Sequence, residues 1–279
     1  MARIRKLVAA LSRRGPHRVL RGDLAFAGLP GVVYTPEEGL NLPGVAFGHD
    51  WLAGAARYAN LLEHLASWGI VAGAPDTQRG VAPSVLNFAF DLGTALDIVS
   101  GVRLGPGKIS VHPAKLGVAG HGFGGSAAVF AAAGMPAKPA AVAAIFPSVT
   151  SPPAQQPAAT LKVPGVIFAA PGDAKTLNSH ALPLADAWDA ATLRIVSKAE
   201  PGGLVEGRRL TKVVGLPGPH RRTQRSVRAL LTGYLLYTLG GDKTYRDFAD
   251  PDVHMPGTDA IDPAAEPIPL EDKIVALLK

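Results

Sequence analysis

"KLGVAGHGFGGSAAVFAAAG" (115–134) is the stretch whose reading decides the fold. Residues 115–120 form a short apolar run of the buried-strand type, and residues 125–134 are Ala-rich, a composition that lets a helix pack closely on a sheet. Between them, "GHGFGG" (120–125) puts four glycines in six residues, as a turn too tight for side chains requires. A strand, a glycine turn and a helix in immediate succession are the building unit of a parallel sheet covered by helices.

The unit recurs on both sides. Upstream, "LPGVAFGHD" (42–50) reads as a buried strand ending in a polar loop, and "YANLLEHLASWG" (58–69) as a helix stopped by Gly69. "IVAGAPD" (70–76) is the next strand and "VLNFAFDLGTALDIVSG" (85–101) the next helix. Downstream, "PAAVAAIFP" (139–147) and "VPGVIFAAPGD" (163–173) are strands, and residues 179–191, 192–199 and 225–239 read as helix, strand and helix. "DLAFAGLPGVVYTP" (23–36) has the apolar alternation and turn residues of antiparallel edge strands. The pattern predicts an α/β fold with a mostly parallel, doubly wound sheet over residues 23–248 and helices on both faces. A basic segment (1–22) precedes it, and a Pro/Asp-rich tail (249–279) ending in the helically spaced "LEDKIVALLK" follows.

The chain has 279 residues, 47% of them hydrophobic, enough for one large core. It contains no cysteine, which excludes disulfides, thiolate nucleophiles and Cys-ligated metal sites. No apolar run reaches the length of a membrane span, and residues 1–15 are too poor in apolar residues for a secretory signal, so a cytoplasmic location is expected. The net charge of +6 is local: residues 1–21 hold seven basic side chains and no acid, while the remainder carries 21 basic and 22 acidic ones. That distribution argues against a nucleic-acid-binding body. Within the basic segment, Ile4, Leu7, Val8 and Leu11 form one helical stripe opposite Arg3, Arg5 and Lys6. Two readings stand: a helix at the inner face of an anionic membrane, or a helix packed on the domain. A second basic cluster runs from Arg208 to Arg228, with Arg221, Arg222 and Arg225 at the start of a helix. It reads as a site for a phosphate, an anionic headgroup or an acidic partner, or as a solvated face.

The order "FGHDW", "YANLLEHLASWG", "VAGAPD" and "GHGFGG" resembles the α/β-hydrolase superfamily, in the branch of dienelactone hydrolases, chlorophyllases and cutinase-like polyester hydrolases. The resemblance spans some 200 residues and implies an α/β-hydrolase fold. It identifies residues 120–124 with the family's G-x-S-x-G nucleophile elbow, so Gly122 stands where the serine would be. Ser126, one helical turn on, is no substitute and is expected to serve helix packing or a backbone hydrogen bond. The resemblance implies Asp173 as the triad acid; a carboxylate capping a local turn is the other reading of that residue. The loop expected to carry the histidine reads "EPGGLVEG" (200–207) and has none, and a second register assigns the role to His220. The oxyanion donors implied are the main-chain N–H groups of Trp51 and Phe123, with Asp50 where the family has glycine. A carboxylate there opposes developing negative charge. His49, Asp50, Asp76, His121 and Asp173 match no metal-ligand spacing, and no cofactor is expected.

These readings lead to a catalytically inactive, α/β-hydrolase-like binding or scaffolding module. Its expected contacts are an acyl or lipid-like ligand in the pocket, and an anionic membrane surface or acidic partner, as in lipid or envelope metabolism. The alternative is an active carboxylic ester or polyester hydrolase, in which Gly122 replaces the nucleophile by substitution or another group supplies it.

Overall fold

A computed structural model describes residues 2–173, 179–207 and 218–260. Among the described residues nine strands form one sheet: β1 (Val19–Asp23), β2 (Gly31–Pro36), β3 (Gly39–Gly48), β4 (Val71–Pro75), β5 (Ile109–His121), β6 (Ala141–Ile145), β7 (Gly165–Ala169), β8 (Ala191–Val196) and β9 (Thr258–Asp259). Their spatial order is β1-β2-β4-β3-β5-β6-β7-β8-β9. The run β4-β3-β5-β6-β7-β8 is parallel, while β1, β2 and β9 pair antiparallel at the two ends. The chain is therefore α/β with a mostly parallel sheet.

Strands β4, β6 and β7 are buried along their whole length because helices cover both faces of the sheet. Helices α1 (Ala2–Leu11), α2 (Ala59–Ser67) and α7 (Arg221–Thr238) enclose one apolar core with Phe47, Tyr58 and Phe168. Helices α3 (Val85–Gly101), α4 (Phe123–Gly134), α5 (Gln155–Ala158) and α6 (Ala181–Ala187) enclose the other, with Phe88, Val118 and Trp188. The boundaries of α3 coincide with the stretch read from its periodicity, Ser84 capping its first turn by accepting from Asn87 N–H at 3.2 Å.

Two features of the termini were not legible. Residues 19–22, read as the end of the basic N-terminal segment, form strand β1 together with Asp23 and pair with β2 along their whole length. Helix α1 packs on the domain: Leu11 is fully buried, and Ile4, Leu7 and Val8 lie against the core that α7 and α2 complete. The apolar stripe is thus covered by protein, while Arg3, Arg5 and Lys6 remain exposed. At the opposite edge the buried Arg194 donates to the carbonyls of Val253, at 2.7 Å, and Asp250, fastening the segment that leads into β9. No helix among the described residues is long and apolar enough to cross a membrane.

The topology places one point apart from the others. From β3 the chain moves to β4 through α2 on one face; from β4 it crosses back over β3 to β5 through α3 on the other. The connections leaving the adjacent strands β3 and β5 therefore diverge to opposite faces, the kind of switch point at which open α/β sheets bind ligands.

Candidate functional site

At this switch point His49 and Asp50 follow β3 and Gly122 follows β5. Three glycines bring the elements together. A Cβ on Gly120 would lie 2.1 Å from the Gly124 carbonyl oxygen, one on Gly124 would lie 2.3 Å from Gly48, and one on Gly48 would lie 2.9 Å from Gly124. Helix α4 consequently starts in direct backbone contact with β3 and β5. Gly122 itself has φ 55° and ψ −117°, a conformation costly for any residue with a side chain. The turn is kept sharp by Gly122 O, which accepts from the N–H groups of Gly125 (3.0 Å), Ser126 (3.2 Å) and Ser148 (3.1 Å).

Asp50 fills the space above this turn. Its Oδ1 accepts from the N–H of Trp51 at 2.8 Å and from the N–H of Phe123 at 3.0 Å. These are the two donors that the sequence reading assigned to an oxyanion, and a carboxylate oxygen of the chain occupies both. The same oxygen would lie 1.9 Å from a Cβ on Gly122. A charged acceptor at the first N–H of a twelve-residue helix is also favoured by the helix dipole.

A buried network holds Asp50 from below. Its N–H donates to Tyr58 Oη at 3.0 Å, and that phenol oxygen lies 2.8 Å from His121 Nδ1. His121 is buried and makes T-shaped ring contacts with Tyr58 and Phe146, with ring centroids 5.8 and 6.0 Å away. The ring nitrogens of His49 lie 2.9 Å from Asp50 O and 2.8 Å from Thr77 O. The Asp76 carboxylate accepts from Ala55 N–H at 2.9 Å and pairs with Arg79 at 3.1 Å. Among the described residues no three His, Asp or Glu side chains are grouped to hold a metal ion. Ser126 is fully buried and its Oγ donates to Ser148 O at 2.6 Å, so its hydroxyl serves the backbone beside the turn.

Other residues singled out from the sequence have further partners. Asp173, after β7, is buried and its Oδ2 accepts from Ala170 N–H at 2.8 Å, an arrangement that closes a local turn. His220 precedes α7; its Nδ1 is 2.8 Å from Thr223 Oγ1 and its Nε2 is 3.9 Å from Glu200 Oε1. Its ring nitrogens thus face its own helix and the loop after β8. Arg221, Arg222 and Arg225 are exposed, while Arg208, Arg209 and Lys212 lie outside the described residues.

The structure adds residues that sequence reasoning did not select. Tyr58 gives no sign in the sequence of meeting Asp50. Glu206, in the loop "EPGGLVEG", is buried against the start of α2. Its Oε2 accepts from Asn60 N–H and Asn60 Nδ2, each at 2.9 Å, and its Oε1 accepts from Leu61 N–H at 3.1 Å. Burial pushes its carboxyl pKa up, opposed by these bonds and by Arg228. The loop in which a histidine was sought is a clamp on α2. His180, after β7, donates its N–H to Pro147 O at 2.8 Å; its Nε2 is buried with no hydrogen-bond partner among the described residues, and burial pushes its pKa down. Comparison with protein-family models gives no match for the chain, and comparison with curated proteins gives none either.

Proposed function

We propose that this chain is an α/β-hydrolase-like protein that does not hydrolyse esters and acts as a binding or scaffolding module. The observation that carries the reading is the seating of Asp50 Oδ1 on the N–H groups of both Trp51 and Phe123. An ester carbonyl developing negative charge needs those donors and would meet a carboxylate instead. Gly122 provides no attacking atom, and the triad acid and histidine implied by the resemblance have other partners: Asp173 bonds to Ala170, and His220 to Thr223 and Glu200. The exposed Arg3, Arg5, Lys6, Arg221, Arg222 and Arg225 support electrostatic contact with an anionic surface or acidic partner. The covered stripe of α1 argues against insertion of that helix into a membrane.

The test is turnover of short-chain nitrophenyl esters, with the Gly122→Ser, Asp50→Gly and double variants alongside. The unchanged chain and both single variants are expected to be inactive. Hydrolysis by the unchanged chain above the buffer rate overturns the proposal.

A further inference from the structure

Helix α3 carries apolar residues on two sides. Val85, Phe88, Leu92, Leu96 and Val99 form its buried stripe. Leu86, Phe90 and Gly93 fall at i, i+4 and i+7 of a second stripe, which ends at Asp97. Leu86 is 51% exposed and Phe90 76%. This stripe lines an open groove of about 790 Å³, whose other lining residues include Phe130 of α4, Met135 just after it and Pro157 of α5. Two glycines deepen the groove. Outside its own helix, a Cβ on Gly93 would meet only Met135 Cγ, at 3.9 Å, and one on Gly134, the last residue of α4, would meet nothing within 4 Å. Close packing therefore requires neither, in contrast to Gly120 and Gly124. Gly93 stands in the middle of a helix, where glycine is less stable than alanine, and its missing side chain leaves space in the groove. The polar groups beside that space are engaged. Thr94 Oγ1 donates to Phe90 O at 3.1 Å, Ala131 O accepts from Met135 N–H at 2.9 Å, and Ala133 O accepts from Lys138 Nζ. Among the described residues Asp97 is the one charged side chain in the lining, and Lys138 beside Ala133 has the opposite sign.

We propose that this groove binds an uncharged small molecule with an aliphatic body, which lies along Leu86, Phe90 and Gly93 and against Phe130 and Met135. Small-molecule sites are concave, mostly apolar and roughly 300–1,000 Å³ in volume, and the groove meets all three conditions. The flexible thioether of Met135 adapts to an aliphatic chain. Because the neighbouring donors and acceptors are engaged and the two flanking charges are opposite in sign, nothing in the groove offsets the desolvation of a charged head group. A protein partner would cover Leu86 and Phe90 but has no use for the space left by Gly93 and Gly134. The groove is bounded by the end of α4 opposite to Gly122, so the proposal is independent of whether the chain hydrolyses esters.

Calorimetric titration with 1-nonanol, 1-heptanol and 1-pentanol tests the proposal, with nonanoate and nonylammonium as charged counterparts. The unchanged chain is expected to bind 1-nonanol saturably, to lose roughly three- to fourfold in affinity for each methylene removed, and to bind both charged counterparts more weakly. Gly93→Leu fills the groove and should weaken 1-nonanol at least about tenfold, with a melting temperature no lower than that of the unchanged chain because leucine is the better helix residue. Phe90→Ser removes an exposed wall and should weaken 1-nonanol by roughly three- to tenfold without loss of the fold. Absence of saturable 1-nonanol binding, or tighter binding of nonanoate or nonylammonium, overturns the proposal without any variant. Unaltered 1-nonanol affinity in a folded Gly93→Leu protein also overturns it. Sedimentation equilibrium of the same preparations examines the other occupant. A dimer that Phe90→Ser dissociates, in a chain that does not bind 1-nonanol, assigns the groove to a second copy and defeats the small-molecule site.

Discussion

The Asp50 carboxylate and a side chain at position 122 exclude each other: the carboxylate oxygen that accepts from Phe123 N–H lies 1.9 Å from where a Cβ on Gly122 would be. A side chain at 122 must expel the carboxylate, breaking two charge-assisted hydrogen bonds, and must also adopt φ 55°. Gly122→Ser should therefore destabilise the fold by roughly 2–5 kcal/mol. In Asp50→Gly/Gly122→Ser the clash is gone, and the double variant should be more stable than the two single effects add up to by at least about 1 kcal/mol. Urea unfolding of the four proteins measures the coupling; strict additivity would show that the two positions do not compete.

The double variant also bears on catalysis. It presents a hydroxyl above freed N–H donors, yet His220 remains bonded to Thr223 and faces Glu200. Its ester turnover should stay at least about a thousandfold below that of a complete triad, and His220→Ala should leave it unchanged. A fall on removal of His220 would mean that this histidine reaches the turn in solution.

His64 on α2 makes stability depend on pH. It is buried, and burial together with the nearby Arg228 pushes its pKa down to about 4. A histidine with a depressed folded-state pKa contributes stability that is present above its unfolded value of about 6.5 and is lost as pH falls through the folded value. The loss should approach about 3 kcal/mol between those limits. His64→Leu should flatten the stability profile over that window, and an unchanged slope in denaturant titrations at stepped pH would contradict it.

Glu206 contributes in the opposite sense. Its folded-state pKa is raised, so its ionisation opposes folding, and that contribution to stability is complete below the unfolded value and lost as pH rises through the folded one. Removing the side chain has a larger effect, because Asn60 and Leu61 N–H at the start of α2 lose their acceptor. Glu206→Ala should cost about 2–3 kcal/mol, read by thermal or urea unfolding at neutral pH.

Helix α1 is an integral part of the core. Leu11 is fully buried, and Leu11→Ala should destabilise the protein by about 2–4 kcal/mol. Its basic face is exposed. Replacing Arg3, Arg5 and Lys6 with glutamine should leave stability within about 0.5 kcal/mol while reducing sedimentation with anionic vesicles. Equal sedimentation with neutral vesicles would argue against an electrostatic contact.

Much of the fold was legible because its determinants are local. The 3.6-residue periodicity of 85–101 is the exposed and buried face of α3, and Gly120 is required by its contact with Gly124 within one strand-turn-helix unit. Strand β1 was not legible, since "VLRGD" is short, polar and mostly exposed, and only its pairing with β2 makes it a strand. The stripe of Ile4, Leu7, Val8 and Leu11 showed that a helix would bury one face, but a periodicity cannot say against what.

The site divides in the same way. The sequence by itself determined that residue 122 carries no nucleophile and that an acid stands at 50, because both are facts of residue identity. Only the tertiary structure decided that this acid takes the N–H groups of Trp51 and Phe123. That outcome requires β3 and β5 to lie side by side while α3 crosses over between them, which brings Asp50 to the N–H of a residue 73 positions away. The clamp of Glu206 on α2 joins residues 146 positions apart and is likewise set by topology. Hydrogen bonds and steric exclusion act over a few ångströms, and the chain's path through the sheet decides which groups come within that distance.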